Sequence, residues 1–275
     1  MPRMGFRILL SAALLLALGS PVLKADDPKS QPAVSAKEAL NRLKEGNERF
    51  VAGKPIVRDL AKRRDETAEG QAPFAIVLSC ADSRVSPELV FDQGIGDLFV
   101  LRVAGNVTDP VVLGSIEYAV DHLHPSLIVV LGHEKCGAVA AAVAGGHLEG
   151  NLGVLIEKVH LDAKQPTEKD AAVAAGVRAN ALFQATEMTK HSTPLKDFAE
   201  AGRIQIVTGV YILDSGKVDW LAAQKAEPNK EVKPDSSKQP NGPAAIDVAA
   251  PFVLPEVCYA APQRRGLLAW RGRRW

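Results

Sequence analysis

Cysteine is scarce in this 275-residue chain: Cys80, Cys136 and Cys258 are too few for a disulfide framework, and Cys258 has no evident partner. No apolar run is long enough to cross a membrane. The longest, Ile8 to Leu18, stops at Gly19-Ser20-Pro21, short of the ~20 residues that a spanning helix needs. No cysteine follows that run, so a lipid-anchored form is unsupported. Acids are missing from both ends: residues 1–25 carry three Lys/Arg and residues 261–275 carry five Arg, with no Asp or Glu in either. That leaves 25 Lys/Arg against 32 Asp/Glu between them, a balance of −7 behind the formal +1 of the whole chain. Nothing in this acidic body points to nucleic acid.

What is present at the start is a basic stretch with Arg3 and Arg7, the apolar run, and Leu23-Lys24-Ala25 ahead of Asp26-Asp27. This is the pattern of a secretory signal peptide over residues 1–25, cleaved near Ala25, and it predicts export, to a bacterial periplasm or an equivalent space. With 47% apolar residues, the remainder can bury a full core.

Two short segments carry the chemistry. Cys80-Ala81-Asp82-Ser83-Arg84 follows Phe74-Ala75-Ile76-Val77-Leu78, and Gly132-His133-Glu134-Lys135-Cys136 follows Leu127-Ile128-Val129-Val130-Leu131. Each apolar run has the length and composition of a strand buried on both faces of a parallel sheet. Residues just beyond the carboxyl ends of such strands can converge although more than fifty positions separate them. Cys80, His133 and Cys136 then supply three ligands of the type that hold Zn²⁺ and leave a fourth position open. The alternatives at this stage are a closed zinc staple or a disulfide.

The two segments together resemble the β-class carbonic anhydrases, whose pattern is Cys-x-Asp-x-Arg at one strand end and His-x-x-Cys at another. The resemblance runs over roughly residues 35 to 220. It implies one zinc ion per chain on Cys80, His133 and Cys136, and reversible hydration of carbon dioxide to bicarbonate by zinc-bound hydroxide. Asp82 is the implied catalytic carboxylate, held off the metal by a bidentate pair with Arg84. Gln71, Phe99, Ala104, Tyr118 and Gly137 fall where the family lines its substrate pocket, with alanine at position 104 where valine is frequent. The resemblance also implies a homodimer or a higher homo-oligomer. Some relatives close the site with the aspartate under control of a tryptophan shortly before the first cysteine; Val77 stands in that region here, so the open type is expected. The same site could hydrolyse carbonyl sulfide or carbon disulfide, and a non-enzymatic zinc-stapled interaction module is the alternative from another class.

The rest of the chain predicts an α/β fold, a parallel-core sheet flanked by helices, with the domain spanning residues 33–221. Ala36, Leu40, Leu43 and Phe50 recur at helical spacing, with Ser35 and Glu38 placed as a cap, and make residues 33–50 an N-terminal amphipathic helix. A polar stretch of turns or a short helix covers 54–72. Val85-Ser86-Pro87 opens a short helix, Leu98 to Val103 is a strand, and Asp109-Pro110 starts a helix that runs to about His122. Ala138 to Val143 is a helix of small residues, and 151–190 holds two helices separated near Gln165-Pro166-Thr167. A strand over Ile204 to Tyr211 and its return over Val218 to Leu221 flank a turn at Asp214 to Lys217.

Residues 222–275 read differently. They are rich in Lys, Pro, Ser, Asn and Ala without an apolar period, the composition of a disordered tail. Its Arg- and Trp-containing end invites a weak contact with an anionic membrane surface. The histidines other than His133 are expected to be solvated.

Overall fold

The computed structural model describes residues 34–221. The expected leader, the 222–275 tail and Cys258 lie outside these residues. Five strands form one sheet in the order β2-β1-β3-β4-β5. The first four, β1 (Ala75–Ser79), β2 (Leu98–Arg102), β3 (Leu127–His133) and β4 (Gln205–Tyr211), are parallel, and β5 (Val218–Leu221) returns antiparallel to β4.

The inner strands β1 and β3 are buried along their whole length. Their continuous apolar sequences follow from burial on two faces, because successive side chains point to opposite sides of a strand. On one face Ile76, Leu78, Ile128 and Val130 pack with α4 (Pro110–His122), α7 (Lys169–His191) and α8 (Thr193–Glu200). On the other, Ala75, Val77, Leu127, Val129 and Leu131 pack with α1 (Ala36–Val51) and α3 (Pro87–Val90). A third cluster, at the carboxyl ends of the strands, joins Cys80 and Cys136 to Val107, Val139, Val159, Val173, Val177 and Val210.

Helix α1 begins as its sequence predicts, with the Ser35 hydroxyl accepting from the Glu38 N–H at 3.2 Å. Its inner face is Ala39, Leu43, Gly46 and Asn47. Glycine is required at position 46, where an added Cβ would sit 1.8 Å from the Phe91 carbonyl oxygen. Asn47 is a buried polar clamp. Its amide donates to the carbonyls of Val90 and Gly216 and its oxygen accepts from the Val218 N–H, so α1 is tied to α3 and to the β4–β5 hairpin.

Helix α2 (Leu60–Glu66) fills the polar stretch, capped by Asp59. Three differences from the sequence reading stand out. Strand β3 continues through Gly132 and His133, which pair with Val210 and Tyr211, because β4 extends far enough to satisfy their backbone groups. Helix α8 was not anticipated, although Ser192 caps it and Pro194 stands in its first turn. Nor are the minor histidines uniformly solvated: His160 is half-buried and stacks on Phe183 at 4.1 Å between ring centroids.

Asp92, in a left-handed turn after α3, fixes the approach of residues 49–58. It is nearly fully buried and accepts from Arg49, Arg58 and the Ile56 N–H. Burial alone would raise its carboxyl, but these hydrogen bonds outweigh burial and hold it below the usual carboxylate range. The unfolded chain therefore protonates first. The stabilisation is complete above the unfolded value of about 3.9 and is lost as pH falls through the lower folded value. Asp92→Asn is expected to destabilise by about 1–3 kcal/mol at pH 7. Urea unfolding of both proteins from neutral to acid pH should show this difference shrinking below about pH 4; a difference independent of pH would mean that the ion pairs contribute nothing.

Candidate metal centre

Cys80 leaves the end of β1, His133 is the last residue of β3, and Cys136 caps α5 (Gly137–Ala144). Because β1 and β3 are hydrogen-bonded neighbours in parallel register, their carboxyl ends lie side by side, and the three ligating atoms fall within 4.8 Å of one another. The sulfurs are 4.0 Å apart and both thiols are free. A disulfide would need ~2.05 Å; two thiolates on a tetrahedral zinc with bonds of ~2.3 Å lie ~3.8 Å apart.

All three residues are buried, and His133 Nε2 has no hydrogen-bond partner. Its other nitrogen, Nδ1, lies 2.9 Å from the Glu134 carbonyl oxygen and donates to it, which leaves Nε2 as the bare acceptor facing the sulfurs. A buried imidazole nitrogen without a partner costs about 1–3 kcal/mol unless something binds it. The donor set and the spacing fit zinc with one position free. Between the two thiols, Cys80 is the one already disposed to ionise. The hydrogen bond with Cys136 outweighs burial and, with the backbone N–H groups of Asp82 and Gly105, lowers the Cys80 thiol. The same bond and burial push Cys136 upward.

Asp82 stands beside this cluster with Oδ2 3.9 Å from His133 Nε2. It is turned away by Arg84, whose Nε and Nη2 donate to Oδ1 and Oδ2 at 2.9 and 2.7 Å, with the Arg84 N–H adding a third bond at 3.0 Å. The Arg84 hydrogen bond, against a smaller burial effect, holds the Asp82 carboxyl well below the usual carboxylate range. Arg102, from the end of β2, donates to the carbonyls of Cys80 and Asp82 and fixes the backbone between ligand and carboxylate.

The sequence reading did not single out Arg102, nor a second support that reaches the centre from α7. The Gly105 N–H donates to Cys80 Sγ at 3.3 Å, from a turn where Gly105 has φ +71° and an added Cβ would press on Ala138 and Val159. The Gly105 carbonyl accepts from buried Asn180 at 2.7 Å. Asn180 also accepts from the His160 N–H and from Gln184, whose oxygen in turn accepts from the Thr108 N–H and hydroxyl. Two buried amides four residues apart on a helix whose same face carries Val177 and Ala181 were a usable signal, because buried polar groups need partners.

The five pocket residues divide. Ala104 opens the turn that contains Gly105, and Gly137 begins α5 directly after Cys136 with open space where a Cβ would point. Both lie next to the centre. Gln71 does not: it is exposed ahead of β1, at the opposite end of that strand from Cys80. Phe99 lies in mid-β2 and packs on the α4 side of the sheet, and Tyr118 is 48% exposed on α4 with its ring against His122. A cavity of about 950 Å³ between α4, α6 (Gly150–Glu157) and α7 contains none of the ligands.

With this geometry in hand, comparison with known proteins points one way. The family model for carbonic anhydrase matches residues 75–218. Carbonic anhydrase 2 of Mycobacterium tuberculosis is 56% identical over 114 residues, covering 41% of this chain and 55% of that protein. The chain thus spans about half the length of the curated relatives it matches first. Among solved structures, the β-carbonic anhydrase CafA of Aspergillus fumigatus superposes with a TM-score of 0.54 at 29% identity, over 70% of this chain and 92% of that one. One of two tetrameric β-carbonic anhydrases from Sordaria macrospora gives 0.51 at 26% identity, over 58% and 90%.

The purified chain is expected to hold one zinc, measured by atomic emission after exhaustive dialysis, and Cys136→Ser and His133→Ala each to retain a small fraction of it. Full zinc content in either variant, with the fold kept by circular dichroism, would place the metal elsewhere.

Proposed function

This chain belongs to the β-class carbonic anhydrases, and on that premise we propose that it catalyses the reversible, zinc-dependent hydration of carbon dioxide to bicarbonate and a proton. The observation that carries the proposal is the juxtaposition of the three-ligand cluster with an Asp82 carboxylate held beside it by Arg84. Zinc in such a site supplies the Lewis acidity that makes water nucleophilic near neutral pH. Cys80 and Cys136 bring two negative charges to the centre, so that acidity is weaker than in an all-histidine site and activity rises with pH.

Asp82 acts as a hydrogen-bond acceptor. Ionised and fixed at both oxygens by Arg84, it presents Oδ2 toward the position beside His133 Nε2 and orients the O–H of the attacking water there. Arg84 also keeps this carboxylate from becoming a fourth ligand, which supports an open resting site. Buried Val107, Val139 and Val210 pack in one cluster with the two thiols, and these apolar surroundings suit an uncharged linear substrate.

A second copy of the chain completes the pocket in this proposal. Leu98 to Leu101 form a partly buried apolar strand at the sheet edge among the described residues, and exposed Val111 and Tyr118 lie on α4. An unpaired sheet edge of this kind is a template for another chain. Association there would carry Gln71, Phe99 and Tyr118, which do not reach their own centre, toward that of the partner, and the tetrameric Sordaria relative supports such an assembly. Arg3, Arg7 and the apolar run Ile8 to Leu18 support export.

Stopped-flow hydration assays from about pH 6.5 to 9 should show rates rising smoothly with pH and a loss of at least ~100-fold in Asp82→Asn with zinc content unchanged. Arg84→Ala should fall similarly. Full activity in Asp82→Asn would refute its assigned role, and zinc without hydration at any pH would refute the reaction. Native mass spectrometry of the exported protein is expected to give a dimer or a larger assembly of chains beginning near Asp26; an active monomer, or a chain that keeps its first residues, would overturn the corresponding part.

A further inference from the structure

The segment between His133 and Cys136 consists of two residues, and the structure treats them differently. Lys135 is exposed and, among the described residues, pairs with exposed Asp214 at 3.5 Å. It also takes a left-handed backbone, φ +53°, which a residue with a side chain adopts at a cost and which persists only where surrounding contacts impose it. Those contacts come through Glu134. Its N–H donates to the Tyr211 carbonyl at 3.0 Å, continuing the β3–β4 ladder one step past His133. Its carbonyl receives the His133 Nδ1 proton at 2.9 Å. Its half-buried side chain reaches across to the β4–β5 hairpin, where Oε2 accepts the Leu213 N–H at 3.2 Å.

We propose that Glu134 is a positioning residue for the metal centre: its carboxylate, anchored on Leu213, fixes the peptide whose carbonyl orients the His133 ring and so sets where Nε2 points. The hairpin itself is well held. Ile212 N–H donates to the Lys217 carbonyl, Gly216 N–H to the Ile212 carbonyl, and Asn47 of α1 grips Gly216 and Val218. The ligand turn is thus referenced to a rigid part of the fold rather than left to the strained loop alone. A carbonyl that accepts the distal nitrogen of a ligating histidine fixes its tautomer and rotation, and losing such a support costs typically 10–100-fold in metal affinity. Glu134 enters here through an accepted hydrogen bond, so a neutral side chain with an oxygen at the same place serves equally.

The inference concerns the metal site and not the proposed reaction, so it is tested without substrate. Metal-free protein is titrated with Co²⁺ against a competing chelator, and the visible and thiolate charge-transfer absorption of the complex is recorded. Glu134→Ala is expected to bind Co²⁺ about 10- to 100-fold more weakly and with an altered spectrum. Glu134→Gln, which keeps an acceptor for Leu213, is expected to restore both to near the wild-type values. Asp214→Ala, which removes only the exposed pair with Lys135, should match wild type. Wild-type affinity and spectrum in Glu134→Ala would overturn the proposal, as would a Glu134→Gln protein as weak as Glu134→Ala, since charge rather than position would then be responsible. Apo-protein unfolding on the same samples separates the cases: a loss of stability alone, with Co²⁺ affinity of the folded protein unchanged, also counts against it.

Discussion

Two thiols and an imidazole nitrogen buried within 4.8 Å of one another form an arrangement that an apolar interior does not favour by itself. His133 Nε2 has no hydrogen-bond partner among the described residues, and beside the bond between the two sulfurs Cys80 Sγ receives only the Gly105 N–H at 3.3 Å. The surrounding fold holds these groups together while leaving them short of partners. The parallel pairing of β1 and β3 brings two strand ends together, and the cap of α5 adds the third ligand.

Two of the three ligands, Cys80 and His133, are then steadied by something behind them. Gly105 supports Cys80 through its N–H and is itself held by Asn180 of α7. Glu134 supports His133 through its carbonyl. Arg102 spans the peptide between Cys80 and Asp82, so the ligand and the carboxylate share one scaffold. These supports come from β2, α7 and the β4–β5 hairpin. Order at the centre therefore depends on packing across the whole domain, and the buried valine cluster around the thiols gives them an apolar surrounding in which electrostatic interactions are stronger than in water.

The pair of Asp82 and Arg84 adds direction. Three donors from one residue hold a carboxylate that is close enough to the centre to meet a water there and is prevented from turning further. The interaction is local in sequence, since only Ser83 separates the partners. Its effect depends on His133, which arrives from another strand.

Much of this was legible without coordinates. The continuous apolar runs before Cys80 and His133 gave two buried strands, because they are short, rich in β-branched and aliphatic residues and bounded by turn residues, and Ser35, Asp109 and Pro110 marked helix starts through the backbone groups they satisfy or omit. Local rules had less hold on the end of β3, where partner strand β4 decides the boundary, and α8 was passed over despite its cap. The supporting roles of Arg102 and Glu134 were illegible, since Arg102 reaches the peptide beyond Cys80 and Glu134 reaches Leu213 only through the fold, while the buried amides Asn180 and Gln184 gave a signal without a target, the partner of Asn180 lying seventy-five positions away. Residue type and short spacing were enough to say which atoms can bind metal and which carboxylate pairs with which guanidinium. Tertiary structure alone decided that the three ligands meet, which nitrogen of His133 is free, and that Gln71, Phe99 and Tyr118 stand away from their own centre, because distance between remote residues is set by strand order and register.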